Sequence, residues 1–182
     1  IDLARQKERV EFVKNQMKFC RANGYNTVLL YLEASVRTSV TAFFDEASSY
    51  SLSDLADIVN YGESIGIDVV PAFETLAHME NFFVYKQLSD LAEFDDEHNH
   101  GRDFCSPLYP HGSHGCATNP RLQSFTDKYV TEVCGVFHSK YVHMGMDEMF
   151  QFACCDDCRR TIEGGVTKQK LFVDFVLHEH AL

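Results

Sequence analysis

Apolar residues along the chain alternate between helical spacing and short continuous runs. The segment from Gln6 to Asn23 has helical spacing, and Gly24 follows it where a helix commonly ends. Its apolar positions are Val10, Val13, Met17 and Cys20. Residues 27–32 then form a continuous, partly β-branched apolar run, which is typical of a strand buried on both faces. The first part of the chain is therefore predicted to form a helix followed by a buried strand.

The alternation of helix and strand patterns continues along the chain. Ser53 is the predicted N-cap of a second helix that ends at Gly66, and a buried strand is predicted over residues 67–73. A third helix is predicted to start with Asn119 as its N-cap and Pro120 at its first position. The apolar stripes of these two helices consist of Leu55, Ala56, Val59 and Ile65, and of Leu122, Phe125, Tyr129, Val133 and Phe137.

Residues 141–146 are a further strand candidate, the fourth if residues 1–4 are the end of the first. Strands that alternate with helices indicate parallel pairing, as in a doubly wound sheet or a TIM barrel. No glycine-rich nucleotide-binding loop follows any predicted strand, which favours the barrel. We therefore predict an α/β fold, a (β/α)₈ TIM barrel. The chain is expected to supply about the first four βα units as one partial catalytic domain over residues 1–182, with the rest of the barrel missing.

Polar residues stand at the carboxyl end of each predicted strand, which is where TIM barrels carry their active sites. They are Arg5, Glu33, Glu74 with His78, and Asp147 with Glu148. Burying two adjacent carboxylates without partners is costly, so the presence of Asp147 and Glu148 at a strand end requires a structural or functional explanation. One interpretation is helix capping, with Asp147 as the N-cap and Glu148 in the first turn. The other interpretation is catalysis.

Composition and charge narrow the class of protein. The 182 residues are 45% hydrophobic and 13% aromatic, enough for one sizeable core. The formal net charge of −11 disfavours binding to nucleic acid or to anionic membranes. The sequence has no signal-peptide pattern and no apolar run that could span a bilayer, so a soluble protein is expected. Because the chain begins without Met and stops within a helical pattern, we expect both ends to be cuts; compartment and oligomeric state are not predicted.

The sequence around the acid pair resembles the β-N-acetylhexosaminidases of glycoside hydrolase family 20. The signature of that family is His or Asn, any residue, Gly, any residue, Asp, Glu at the end of the fourth barrel strand. His143, Gly145, Asp147 and Glu148 match it. The likeness extends over nearly the whole chain and includes the helix start at residues 116–120. Through this resemblance, Asp147 and Glu148 are predicted to be catalytic.

Two further segments are similar to substrate-binding parts of the same family. In residues 71–78, Pro71 is followed seven residues later by His78, which by resemblance borders the sugar pocket. Arg5 lies at the end of the first strand, and the resemblance implies that its side chain binds hydroxyl groups of the terminal sugar. The alternatives are an ordinary salt bridge for Arg5 and a satisfied, partly buried histidine for His78.

The resemblance implies an exo-acting glycoside hydrolase that removes terminal β-linked N-acetylhexosamine with retention of configuration. Glu148 would be the general acid and base, and Asp147 would orient the acetamide that attacks C1 to form an oxazolinium intermediate. Side chains of adjacent residues point to opposite sides of an extended backbone, which agrees with substrate assistance rather than a two-carboxylate mechanism. The alternatives are a non-catalytic sugar-binding protein on the same barrel and a metal-stabilised interaction module. The implied partner is a carbohydrate, and no cofactor is expected for catalysis.

The seven cysteines do not suit a framework made only of disulfides. Cys155 and Cys158 have C-x-x-C spacing, and Cys105 and Cys116 bound a histidine-rich segment. Two such pairs could provide tetrahedral ligands for a structural zinc ion, with Cys154 or a histidine as a substitute ligand. The alternatives are reduced cysteines and a Cys105–Cys116 disulfide.

Overall fold

Helices provide most of the regular structure in the computed structural model, which describes residues 1–94 and 112–182. In chain order the elements are α1 Val10–Ala22, β1 Thr27–Tyr31, α2 Leu52–Ser64, β2 Asp68–Ala72, α3 Glu80–Phe83, a 3₁₀ turn at Ser89–Leu91, α4 Pro120–Cys134, α5 Asp156–Glu163 and α6 Lys168–His180. Among the described residues, no helix is both long and apolar enough to cross a membrane.

The described chain divides into two compact units. Unit 1 comprises Ile1–Phe73 and Lys128–Met144, and unit 2 comprises Glu74–Asp127 and Gly145–Leu182. The two strands, α1 and α2 belong to unit 1, whereas α3, α5 and α6 belong to unit 2.

Parallel pairing in unit 1 follows the order of the chain. β1 and β2 pair in parallel, with Thr27 opposite Asp68. A single parallel bridge joins Asp2 to Tyr31 of β1, and another joins Ala72 of β2 to His143. The sequence correctly predicted β1 and β2, to within one residue at their ends, and their parallel pairing.

Within the part of the chain that the structure describes, the strand predicted over residues 141–146 is not formed, because His143 alone of these residues makes a β-bridge. Its N–H donates to the Pro71 carbonyl at 3.0 Å, and its carbonyl accepts from Phe73 N–H at 2.7 Å. The backbone then turns into the left-handed region, with φ +71° at Gly145 and +73° at Met146. That conformation cannot continue a strand, so the ladder ends at one bridge.

Strand β1 alternates between buried and exposed positions. Val28 and Leu30 are buried, while Leu29 is 39% exposed. The prediction of burial on both faces is therefore wrong for the described residues, which cover mainly one face of β1.

Helix α2 begins two residues earlier than the sequence indicated. Its N-cap is Ser51, not Ser53, because Ser51 and Asp54 form a reciprocal capping box. Asp54 N–H donates to Ser51 Oγ at 3.1 Å, and Ser51 N–H donates to Asp54 Oδ2 at 2.9 Å. Gly62 then allows close packing on β2, since a Cβ at this position would lie 2.4 Å from Val69 Cγ2.

Helix α4 starts where it was predicted, and α1 ends where it was predicted, although α1 begins at Val10 rather than near Gln6. Val13 and Met17 of α1 are buried, and Gly24 follows the helix with φ +88°. Asn119 caps α4 as predicted, since its Oδ1 accepts a hydrogen bond from Arg121 N–H at 2.9 Å. Periodic apolar positions and local caps are thus enough to locate these two helices.

Candidate active site

The acid pair lies in an irregular segment of unit 2. The next helix, α5, begins at Asp156 with Cys155 as its N-cap, so Asp147 and Glu148 do not cap it. The capping interpretation is therefore wrong. Met146 and Glu148 have φ +73° and +50°. A non-glycine residue in this region costs about 1–2 kcal/mol, so surrounding contacts must hold the turn.

His78 faces both carboxylates of the pair. Its Nε2 lies 3.4 Å from Glu148 Oε2 and 3.7 Å from Asp147 Oδ2. The expectation that the two acids point to opposite sides is wrong, because the left-handed turn at Glu148 replaces an extended backbone. His78 is itself held at φ +47° and is 23% exposed at its side chain. Unit 2 thus brings three of the four predicted sugar-site residues together.

Two buried polar side chains support the backbone of this turn. Glu74 Oε2 accepts a hydrogen bond from Met146 N–H at 3.1 Å. His114 Nε2 lies 2.9 Å from the Glu148 carbonyl oxygen, and its Nδ1 lies 2.8 Å from Ser113 Oγ. Burial lowers the pKa of His114 and favours the neutral ring, although the bond to Glu148 opposes this. Nε2–H then donates to Glu148, and Nδ1 accepts from the Ser113 hydroxyl.

From the sequence, Glu74 was placed at a strand end without a role, and the part that His114 plays was missed. Both side chains are in fact buried. A single sequence does not reveal these contacts, because they join residues that are far apart in the chain. The weak local signal at Glu74 is an acid placed directly after the apolar run of residues 69–73.

Arg5 belongs to unit 1 and forms an ion pair with Glu33. Its Nη2 lies 3.4 Å from Glu33 Oε1, and 55% of the Arg5 side chain is exposed. Glu33 is buried; it accepts Tyr31 O–H at 2.7 Å on Oε1 and Tyr129 O–H at 2.6 Å on its carbonyl. The salt bridge considered for Arg5 is present, and its role in binding sugar stays a prediction.

Three of the four predicted metal ligands meet in unit 2. Cys116 Sγ lies 3.4 Å from Cys155 Sγ and 3.7 Å from Cys158 Sγ. Cys105, the fourth predicted ligand, lies outside the described residues. The thiol of Cys154 contacts the Phe152 carbonyl instead, at 3.4 Å.

Glu93 lies beside these thiols and was not predicted from the sequence to be near a metal site. Its carboxylate accepts three successive backbone N–H groups, from Ala153 at 2.9 Å, Cys154 at 3.0 Å and Cys155 at 2.8 Å. Burial, with a smaller contribution from the charge of Cys155, raises the pKa of Glu93 to about 7. The only sequence signal is an acid among the apolar residues 91–94.

Comparison with known proteins identifies the family of the chain. The family model described as the glycosyl hydrolase family 20 catalytic domain matches residues 10–179. The chain belongs to glycosyl hydrolase family 20. Its fold is accordingly α/β, that of a segment of the family's TIM-barrel catalytic domain.

Individual family 20 proteins are distant relatives of the chain. It is 29% identical over 123 residues to a lacto-N-biosidase of Bifidobacterium bifidum, covering 68% of this chain and 10% of that protein. It is 25% identical over 127 residues to β-hexosaminidase subunit A2 of Dictyostelium discoideum, covering 68% of this chain and 21% of that protein. The crystal structure of Flavobacterium johnsoniae chitobiase matches with a TM-score of 0.76 at 16% identity, covering 98% of this chain and 28% of that one. The chain therefore spans a minor part of each family 20 relative.

Proposed function

We propose that the protein is an exo-acting glycoside hydrolase that removes terminal β-linked N-acetylhexosamine, either GlcNAc or GalNAc. The observation that carries the proposal is the convergence of Asp147 and Glu148 on His78 Nε2 within a family 20 catalytic domain. The name of one relative, a β-hexosaminidase, supports the same substrate class, and the name of the other, a lacto-N-biosidase, supports glycoside hydrolysis more broadly. The substrate is a carbohydrate, and the catalytic residues need no cofactor.

The proposed mechanism assigns a different task to each carboxylate. Glu148 protonates the glycosidic oxygen as the aglycone leaves and later removes a proton from water. The substrate's own acetamide oxygen attacks C1, so the anomeric configuration is retained. Asp147 accepts the acetamide N–H and stabilises the positive charge that develops on that group. His78 borders the sugar and holds the two carboxylates on one side.

The remaining parts of the proposal concern the barrel and substrate binding. The parallel order from Asp2 through β1 and β2 to His143 supports an assignment of residues 1–182 to about the first four βα units of one catalytic domain. Arg5 is proposed to bind sugar hydroxyls through the donors of its planar guanidinium group. Its ion pair with the buried Glu33 would fix the direction of that group.

Hydrolysis of an aryl β-N-acetylglucosaminide tests the proposal. The full-length protein that carries this chain is compared with its Glu148→Gln variant and with Glu163→Gln, a control at an exposed carboxylate at the end of α5. We expect Glu148→Gln to lower kcat at least ~100-fold, the usual contribution of general acid catalysis, and Glu163→Gln to leave it unchanged.

An aryl β-glucoside, which lacks the acetamide, tests the substrate-assisted step. Activity on the acetamido substrate and none on the glucoside would support it. A folded wild-type protein without activity on GlcNAc and GalNAc glycosides would contradict the proposal. Sugar binding without turnover would then favour the non-catalytic sugar-binding alternative.

A further inference from the structure

Three thiols and one carboxylate converge in unit 2, apart from the residues proposed for catalysis. They belong to Cys116, Cys155, Cys158 and Glu93, and their four ligand atoms lie within 4.8 Å of one another. Cys158 Sγ is 3.4 Å from Glu93 Oε1. Cys116, Cys158 and Glu93 are buried. Thiolates and a carboxylate are the ligands that zinc takes in proteins, and here four such groups lie together in a largely buried position.

The sulfur–sulfur distances match those of a tetrahedral metal site. Zinc–sulfur bonds of about 2.3 Å at tetrahedral angles place two sulfurs about 3.8 Å apart. Cys116 Sγ is 3.4 Å from Cys155 Sγ and 3.7 Å from Cys158 Sγ. A disulfide needs about 2.05 Å, so these sulfurs are in non-bonded contact. Small shifts would therefore admit an ion between them.

Glu93 can turn toward a metal the lone-pair direction that the Cys158 thiol now occupies, because that thiol loses its proton when it binds the ion. A carboxylate offers about four such directions in total. Among the described residues, Oε2 accepts two backbone N–H groups, from Cys154 and Cys155, whereas Oε1 accepts one, from Ala153, and the thiol of Cys158. Oε1 is also the oxygen that faces Cys158 Sγ. It is therefore positioned to be the fourth protein ligand.

Hydrogen-bonding groups and a helix N-terminus lie next to the sulfurs. Cys155 is the N-cap of α5, and its Sγ accepts a hydrogen bond from Cys158 N–H at 3.3 Å. The positive end of the helix dipole stabilises a thiolate there. Thr118 Oγ1 lies 3.2 Å from Cys116 Sγ and 3.3 Å from Cys158 Sγ, within reach of both sulfurs. Cys116 and Cys155 also line a cavity of about 470 Å³, which gives an ion access to the sulfurs.

We propose that Cys116, Cys155 and Cys158 bind one Zn²⁺ as thiolates, with Glu93 Oε1 as the fourth ligand. Three thiolates select a soft metal, and four protein ligands leave no open position, so the site is structural and not catalytic. Binding transfers the three thiol protons to solvent. A disulfide between two of the cysteines would leave the third thiol and the carboxylate without a function.

The zinc ion would stabilise the turn that carries the acid pair from both sides. Cys116 is two residues from His114, which contacts the Glu148 carbonyl. Cys155 is seven residues beyond Glu148 in the same chain segment. One ion therefore links the two segments of unit 2 that meet at Glu148.

Metal content of the full-length protein tests the proposal. Zinc is quantified by mass spectrometry in the wild type, in Cys155→Ser and Cys158→Ser, and in Cys154→Ser, a neighbouring thiol that contacts the Phe152 carbonyl instead. We expect Cys155→Ser and Cys158→Ser to lose about one Zn²⁺ per chain and Cys154→Ser to retain it. Equal zinc content in wild type and Cys155→Ser would overturn the proposal.

Cobalt substitution of the wild type gives a second measurement that no folding defect can obscure. A Co²⁺ ion bound by three thiolates shows intense sulfur-to-metal charge-transfer absorption and the d–d bands of a tetrahedral site. Absence of these bands, or a Cys155–Cys158 or Cys116–Cys155 disulfide found by peptide mapping, would refute the site. Neither result depends on hydrolytic activity. The zinc proposal can therefore fail while the proposed enzyme function holds, and the reverse.

Discussion

Replacing His114 by Phe should lower kcat through the backbone of Glu148. The neutral imidazole donates from Nε2 to the Glu148 carbonyl at 2.9 Å, and Ser113 fixes the ring from the other side at 2.8 Å. Phe fills a similar volume but cannot donate. Glu148 is held at φ +50°, so the lost bond removes a contact that opposes relaxation of the turn.

The magnitude follows from two opposing free energies. The left-handed conformation of Glu148 costs about 1–2 kcal/mol, while a neutral hydrogen bond contributes about 0.5–1.5 kcal/mol net. Losing the bond should therefore destabilise the left-handed turn, relative to its relaxed conformations, by about 1 kcal/mol. Since about 1.4 kcal/mol is a factor of ten in rate, kcat is expected to fall about five- to tenfold.

The assay is steady-state hydrolysis of the aryl β-N-acetylglucosaminide by full-length protein. His114→Gln, which keeps a donor, should recover part of the loss. His138→Phe is the matched control, because the same substitution there affects an exposed histidine paired with Glu63. An unchanged kcat in a folded His114→Phe protein would refute the assigned role of this hydrogen bond.

Two further predictions concern stability. In Gly62→Ala, the added Cβ would lie 2.4 Å from Val69 Cγ2. Overpacking should cost about 1–3 kcal/mol, more than the gain of up to ~1 kcal/mol in helix propensity. The free energy of unfolding measured in urea should therefore fall in Gly62→Ala but not in the control Asn60→Ala, which changes an exposed residue of the same helix. Burial raises the pKa of Glu179 from 4.5 to about 7, against the opposing effect of its hydrogen bond from Thr126. The folded state then binds more protons than the unfolded state, so stability should fall as pH rises from about 4.5 to 7, by at most about 3 kcal/mol. Glu179→Gln should flatten this dependence, and an equal pH slope in both proteins would contradict it.

Local signals explain which elements the sequence predicted well. Asn119 and Pro120 identify the start of α4 because a cap and a helix start depend on adjacent residues. The N-cap of α2 was misplaced because two serines stand two residues apart. Only the reciprocal bond between Ser51 and Asp54 decides between them. Capping boxes therefore deserve priority over a single serine at the expected place.

Strand pairing and the site depended on contacts that one sequence does not record. The apolar run at residues 141–146 has strand composition, but left-handed residues end the pairing at His143. The motif identified Asp147 and Glu148, whereas their common approach to His78 required the turn itself. The support from His114 and Glu93 is non-local in the same way.

The left-handed backbone at Glu148 affects how mutagenesis of this position must be interpreted. Gly would relieve the conformational cost, and a β-branched side chain would increase it, so both change geometry and chemistry together. Gln keeps the length and backbone preference of Glu while removing its acidity. Only the isosteric amide therefore separates proton transfer from loop conformation, and an alanine scan through this segment would confound the two.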